Sequence, residues 1–356
     1  MNDYKLIDLF CGAGGFSVGF EKAGFDSVLA IDKWNDAVDT YNYNRKNKCA
    51  LSIDIYDYTN EKLEELKEKM EITGVIGGPP CQGFSMVGKR LSNDERNSLY
   101  LQYVRFVKVI KPKFFILENV KGLLSMEKGL FRDDIIKRFG ELGYNVNFRL
   151  LRASDYGVPQ SRERVFFIGL RKDLFKDTFF DFDLIEKSPM VSTSMAISDL
   201  PSLDKGEDPT RYRTEPQNQY QKDLRANSNV VLNNEITHHS EQTIDIISRI
   251  GDGGSIKDLP QEFYKVRNYN TAFKRMNSRL PSITIDCGHR NYFHYSENRI
   301  PTVRESARIQ SFPDVYYFTG TKGSQYTQVG NAVPCLLAFK IAKVVKNYLK
   351  NIMEEN

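Results

Sequence analysis

The chain has 356 residues, of which 40% are hydrophobic, and its 50 Lys and Arg against 46 Asp and Glu give a formal charge of +4, too small to identify a polyanionic partner. That length accommodates two domains or one large domain with an elaboration. No run approaches the roughly 18 apolar residues of a membrane span, the opening MNDYKLIDLF has no secretory pattern, and five cysteines at 11, 49, 81, 287 and 335 form no CxxC pair, so neither a metal site nor a disulfide framework is indicated.

In chain order, Lys5 to Phe10 reads as a short buried strand running into CGAGGFSVGFEKAG, a glycine-rich turn and an amphipathic helix. Gly12, Gly14 and Gly15 permit close backbone approach to a ligand. Asp32 follows a second strand, Ser27 to Ile31, at the place where a carboxylate can hold ribose hydroxyls. A dinucleotide fingerprint wants a third glycine where Ser17 stands, which argues against NAD or FAD. A third strand leads to SIDIYDY, with Asp54 in a loop. Thr73 to Ile76 is a further strand, and Gly77 to Ser85, GGPPCQGFS, holds Cys81 in a turn with little conformational freedom, the setting of a nucleophile at the carboxyl end of a buried strand.

Met86 to Asn97 is polar and lacks an apolar period, as a mobile loop would. Leu101, Val104, Val107 and Ile110 then mark a helical face, and Lys113 to Leu117 is a buried strand ending in Glu118, Asn119 and Val120. A carboxylate there is costly to bury without a partner, which points to a ligand contact. In DYGVPQSRERVFFIG, Arg162 and Arg164 alternate outward from a strand that buries Val165 and Phe167. From about Lys172 to Asn234 the composition shifts to Asp, Pro, Ser, Asn and Gln, a domain boundary with irregular connections. Phe263 to Arg299 carries seven Lys or Arg against two acids, interleaved with Tyr264, Tyr269, Phe273, Tyr292, Phe293 and Tyr295, a composition suited to nucleic acid.

GGPPCQGFS resembles the catalytic motif of the cytosine carbon-5 DNA methyltransferases, and other motifs follow in that family's order: FCGAGG, ENV at Glu118, QxRxR at Gln160, Arg162 and Arg164, RESARIQSFPD from Arg304, and QVGNAVP from Gln328. The resemblance implies a doubly wound α/β S-adenosylmethionine-dependent methyltransferase sheet with a smaller, mainly β target-recognition domain inserted near the carboxyl terminus. The expected limits are 1–175 for the catalytic and cofactor domain, 176–320 for target recognition, and 321–356 for a segment returning to the catalytic domain.

By the same resemblance, S-adenosylmethionine lies on Phe10, Gly12, Ala13, Gly14 and Gly15, with Asp32 on the ribose, either Lys33 or Trp34 along the adenine, Asp54 and Ile55 at the adenine edge, and Asn331 and Val333 at the methionine end. Cys81 attacks carbon 6 of a flipped cytosine, Glu118 holds its nitrogen 3 and amine, Arg164 sits near the base carbonyl and Arg162 orders the site. The implied partner is double-stranded DNA, bound by a monomer in the cleft between the domains. The setting is a bacterial cytoplasm and nucleoid, with no membrane, no metal, and a restriction endonuclease that acts on the same site without stable association. Three rivals are a transfer-RNA methyltransferase, disfavoured because no CFT tripeptide is present, a silent DNA-binding protein, and an NAD oxidoreductase.

Overall fold

In the computed structural model, residues 4–80, 98–264, 273–288 and 292–354 are described. The chain divides into two units, one formed by Met1–Arg152, Glu163–Glu186 and Ala338–Asn356, the other by Ala153–Arg162 and Lys187–Leu337.

The first unit alternates strands and helices. β1 (Lys5–Leu9), α1 (Gly15–Lys22), β2 (Asp26–Asp32), α2 (Asn35–Tyr43) and β3 (Ala50–Ser52) come first. They are followed by α3 (Asn60–Lys69), β4 (Gly74–Gly77), α4 (Ser98–Ile110) and β5 (Phe114–Val120), then by α5 (Leu130–Glu141), β6 (Tyr144–Arg152), β7 (Glu163–Arg171) and α6 (Lys172–Phe175). The seven strands make one sheet in the order β3-β2-β1-β4-β5-β7-β6. Neighbours from β3 to β5 are parallel, and β7 alone runs antiparallel to both β5 and β6. Ile7, Leu9, Ile31, Val75, Phe115, Leu117 and Phe167 are fully or almost fully buried, as continuous apolar strands of a covered sheet should be. Phe115 stacks on Phe139 with ring centroids 4.0 Å apart. On α4 the buried side chains are Tyr100, Tyr103, Phe106, Val107 and Ile110, at successive spacings of three, three, one and three, whereas Leu101, expected on that face, is 40% exposed. The Tyr103 hydroxyl fixes this rotation by sitting 3.0 Å from the Val75 carbonyl and 2.8 Å from that of Ile116, between β4 and β5.

The second unit contains α7 (Thr193–Ile197), α8 (Gln219–Arg225), α9 (Glu241–Arg249), α10 (Gln261–Tyr264), β8 (Lys274–Arg275), β9 (Tyr292–Phe293), α11 (Val303–Ile309) and α12 (Lys322–Asn331). The expectation of a mainly β domain is therefore corrected: among the described residues its strands are one pair two residues long. Capping explains the helices. Ser192, Asn218, Ser240, Thr302 and Thr321 each accept a first-turn N–H with the side chain, so short helices start without a long apolar period.

α13 (Cys335–Glu354) begins in the second unit and continues in the first. Residues 322–352 include an 18-residue window of membrane-like mean hydropathy, but 72% of it is buried within the protein. Leu337, Ala338, Ile341, Ala342, Val345 and Leu349 account for that character as core residues. The division into units also differs from the expected limits at 175 and 320. Residues 153–162 go with the second unit because Gln160 donates to Gln310 Oε1 at 2.8 Å and accepts from the Ile285 N–H at 3.0 Å.

Candidate active site

β1 and β4 are adjacent, yet the strand order runs outward from them in opposite directions, so their carboxyl ends form the switch point at which open α/β sheets take ligands. Just past β1, Phe10 has φ 56°, Ala13 is buried, and Gly14 caps α1 at φ 82° ahead of Gly15, the first helical residue. A methyl group on Gly14 would lie 2.7 Å from the Tyr41 ring, so packing and backbone conformation both demand glycine there.

The Gly12 N–H donates to Asp32 Oδ2 at 2.8 Å and the Trp34 N–H donates to Oδ1 at 2.9 Å. Burial raises the Asp32 carboxyl above its ordinary value, against the pull of these N–H groups. Each oxygen keeps acceptor capacity, so the carboxylate fits a ribose diol. The Lys33 ammonium reaches Asp54 Oδ2 at 2.9 Å and holds that carboxyl below the usual range. Asp54 Oδ1 accepts the Tyr56 N–H at 3.2 Å, and Ile55 is buried.

β4 leads into Gly78, Pro79 and Pro80. Cys81 lies outside the described residues, as does the expected loop from Met86 to Asn97. Beside this turn, Glu118 on β5 places Oε1 3.1 Å from Arg164 Nε on β7, and both side chains are largely buried. A methyl group on Gly78 would meet Glu118 Oε2 at 2.9 Å. Gly78 thus lies against the carboxylate. Asn119 Nδ2 donates to the Pro79 carbonyl at 2.9 Å, while Asn119 Oδ1 accepts the Val120 N–H at 2.9 Å. A carboxylate and a guanidinium side by side give acceptor and donor together, which suits a ring edge that offers both.

Arg162, Asn331 and Val333 fall in the second unit. Arg162 is 3% exposed, and its Nη1 donates to the Ile285 carbonyl at 3.3 Å and the Gly330 carbonyl at 3.0 Å. Asn331 ends α12, and its Oδ1 accepts from the Cys287 thiol at 2.8 Å; Val333 is buried. Of the basic and aromatic run, Lys265, Arg267, Tyr269 and Arg290 lie outside the described residues, and several of the others read differently in three dimensions. Phe273, Tyr292, Phe293, Arg275 and Arg299 are buried. Arg275 holds the carbonyls of Ile247, Ile250, His294 and Glu297, and Arg299 pairs with Glu305 at 2.7 Å, so these groups build the interior, not a surface for nucleic acid. Lys274 and Arg279 are exposed.

Sequence reasoning passed over Asp8. It is 1% exposed on β1 and accepts from Ser17 Oγ at 2.6 Å; Ser17 Oγ in turn lies 2.9 Å from the Tyr41 hydroxyl and 3.2 Å from Ser27 Oγ. Burial pushes the Asp8 carboxyl up to about 7. An acid inside the apolar run KLIDLF was the available signal. The hydroxyl of Ser17 also explains why glycine does not stand at that position.

A mostly parallel seven-stranded sheet with an antiparallel β7, and a glycine-rich turn at its switch point, defines the class of S-adenosylmethionine-dependent methyltransferases. The family model for C-5 cytosine-specific DNA methylases matches residues 4–347, and the chain belongs to that family: it is an S-adenosylmethionine-dependent DNA (cytosine-5-)-methyltransferase. It is 41% identical to the Type II methyltransferase M.DdeI of Desulfomicrobium norvegicum, over 98% of this chain and 90% of that one. Identity to the Type II methyltransferase M1.HphI of Haemophilus parahaemolyticus is 39%, over 95% and 86%. A solved structure of a DNA modification methyltransferase encoded within a prophage (E. coli) superposes with a TM-score of 0.81 at 26% identity, covering 98% of this chain and 99% of that one.

Proposed function

We propose that this protein is the modification enzyme of a type II restriction-modification system, acting on one cytosine within a short sequence of double-stranded DNA. The observation that carries the chemistry is the Glu118–Arg164 pair packed against the Gly78–Pro80 turn. A stacked base hides its carbon 5 and carbon 6, so the cytosine leaves the duplex before reaction. Glu118 then holds nitrogen 3 and the exocyclic amine, and Arg164 faces the carbonyl. A hydrogen bond donated to nitrogen 3, or its protonation, together with the cation at the carbonyl, withdraws electron density and stabilises the anion that forms when the Cys81 thiolate bonds to carbon 6. Carbon 5 of that adduct takes the methyl group. Loss of the carbon-5 proton and cleavage of the sulfur–carbon 6 bond release Cys81 and 5-methylcytosine.

S-adenosylmethionine supplies an electrophilic methyl on a sulfonium. Phe10, Gly12, Ala13, Gly14, Gly15, Asp32, Asp54, Ile55, Asn331 and Val333 are the residues assigned to hold it. Lys33 is engaged by Asp54, which leaves Trp34 as the residue for the adenine face. Target recognition is assigned to residues 176–320, most of which fall in the second unit. The enzyme works as a monomer on DNA in the bacterial cytoplasm, and its endonuclease shares the recognition site without a stable complex.

The test is transfer of labelled methyl into duplex DNA, with RNA in parallel, followed by nucleoside analysis and bisulfite sequencing. The expected product is 5-methylcytosine in DNA within one short context. Cys81→Ala abolishes turnover but retains cofactor binding; near-normal methylation by that variant overturns the mechanism.

A further inference from the structure

The last turn of α12 is fixed to the segment 285–287 by three contacts within the second unit. Arg162 Nη1 bridges the carbonyls of Ile285 and Gly330. At Gly330 the two backbones are so close that a methyl group would lie 2.6 Å from the Asp286 carbonyl carbon and 2.7 Å from the Cys287 nitrogen, so only glycine fits. Next to that contact, the Cys287 thiol donates to Asn331 Oδ1 at 2.8 Å. A thiol hydrogen must be met by the oxygen of the amide, so this bond fixes which way the Asn331 side chain is turned. With Oδ1 engaged, Nδ2 is the remaining polar atom of this side chain, on a residue that is itself exposed.

We infer that Cys287 is a positioning residue for cofactor binding: it presets the Asn331 amide with its NH2 group directed at a negatively charged acceptor, on a turn made rigid by Arg162 and Gly330. The inference rests on the reading that Asn331 meets the methionine end of the cofactor. A prealigned donor spares the ordering that binding otherwise requires, so the effect appears in affinity and not in the chemical step.

The test measures S-adenosylhomocysteine affinity by calorimetry, together with KM for S-adenosylmethionine and kcat, in the full-length protein. Cys287→Ala raises Kd and KM by about 3- to 10-fold, as expected for one lost hydrogen bond, with kcat within about twofold. Cys287→Ser retains a donor and restores most of the affinity, which a purely packing role does not predict. In a double-mutant cycle, Cys287→Ala adds no loss on top of Asn331→Ala. Wild-type affinity in Cys287→Ala beside a clear loss in Asn331→Ala overturns the inference alone. Wild-type affinity in Asn331→Ala, with the wild-type protein binding normally, overturns the reading on which it rests.

Discussion

The two units differ in the charges they bury beside their apolar side chains. In the first, the interior around the sheet is apolar and aromatic, with Phe115 stacked on Phe139, and its one deeply buried acid on β1, Asp8, is raised to about 7 and met by a hydroxyl. In the second, Arg299, Arg304 and Arg308 are each at most 1% exposed. Arg308 pairs with Asp314 and, at 3.0 Å, with Asp199; Arg304 donates to the carbonyls of Leu232, Pro313 and Tyr316. This unit also buries apolar side chains, among them Ile247, Phe312 and Phe318, and a web of charge-assisted bonds joins its short capped helices in addition. Such a web adds less net stability than its bonds suggest, because desolvation opposes the attraction, but it penalises every partial arrangement heavily.

The most severe test of this contrast is Arg308→Met, which removes the cation shared by Asp199 and Asp314 and leaves Asp199 with Arg225 at 3.3 Å and Asp314 with the more distant Arg304 at 3.9 Å. The expected loss is about 3–5 kcal/mol, read by urea denaturation; a loss below about 1 kcal/mol would mean that packing, not charge, holds the second unit. Phe115→Leu in the sheet keeps the apolar character but gives up ring volume and the stack on Phe139, and should cost less than Arg308→Met, about 1–3 kcal/mol by the same assay.

The pH responses sharpen the comparison further. Asp8 has an ordinary value of 3.8 and is raised to about 7, so its stabilising contribution is complete below pH 3.8 and is lost as pH rises through 7. Burial alone would also raise Glu305, but Arg299, His294 and the Thr302 N–H outweigh it and hold the carboxyl at about 2. Its contribution is therefore present above the ordinary 4.5 and is lost as pH falls toward 2. Asp8→Asn should remove a decline of a few kcal/mol between those limits on the rising side. Glu305→Gln should lower stability at neutral pH and flatten the remaining acid dependence, as Tm against pH will show. Identical pH profiles for both variants would erase the distinction. The smallest effect belongs to the surface: Lys121→Ala breaks an exposed pair with Glu163 at 2.9 Å and should change stability by at most about 1 kcal/mol, less in high salt.

Arg162 and Arg164 carry the same contrast over two residues. Arg164 stands against Glu118 in the first unit, and Arg162 secures carbonyls of the second. Their alternation in QSRER indicated two outward cations and could not reveal two destinations.

The sequence by itself determined the strands β1, β2, β4, β5 and β7, the glycine turn after Phe10, the place of Glu118 at a strand end, and the family, because apolar runs, glycine and proline act locally on the backbone. Only the tertiary structure decided the face of α4, where Tyr103 replaces Leu101 as the inward residue to reach two strand carbonyls. It likewise decided the helical character of the second unit and the burial of Arg275, Arg299 and Tyr292. A charge can enter the interior only when a partner arrives to meet it, and Arg308 is met by Asp199, 109 residues away, as well as by the nearby Asp314. No local pattern holds that information; the closing of the fold supplies it.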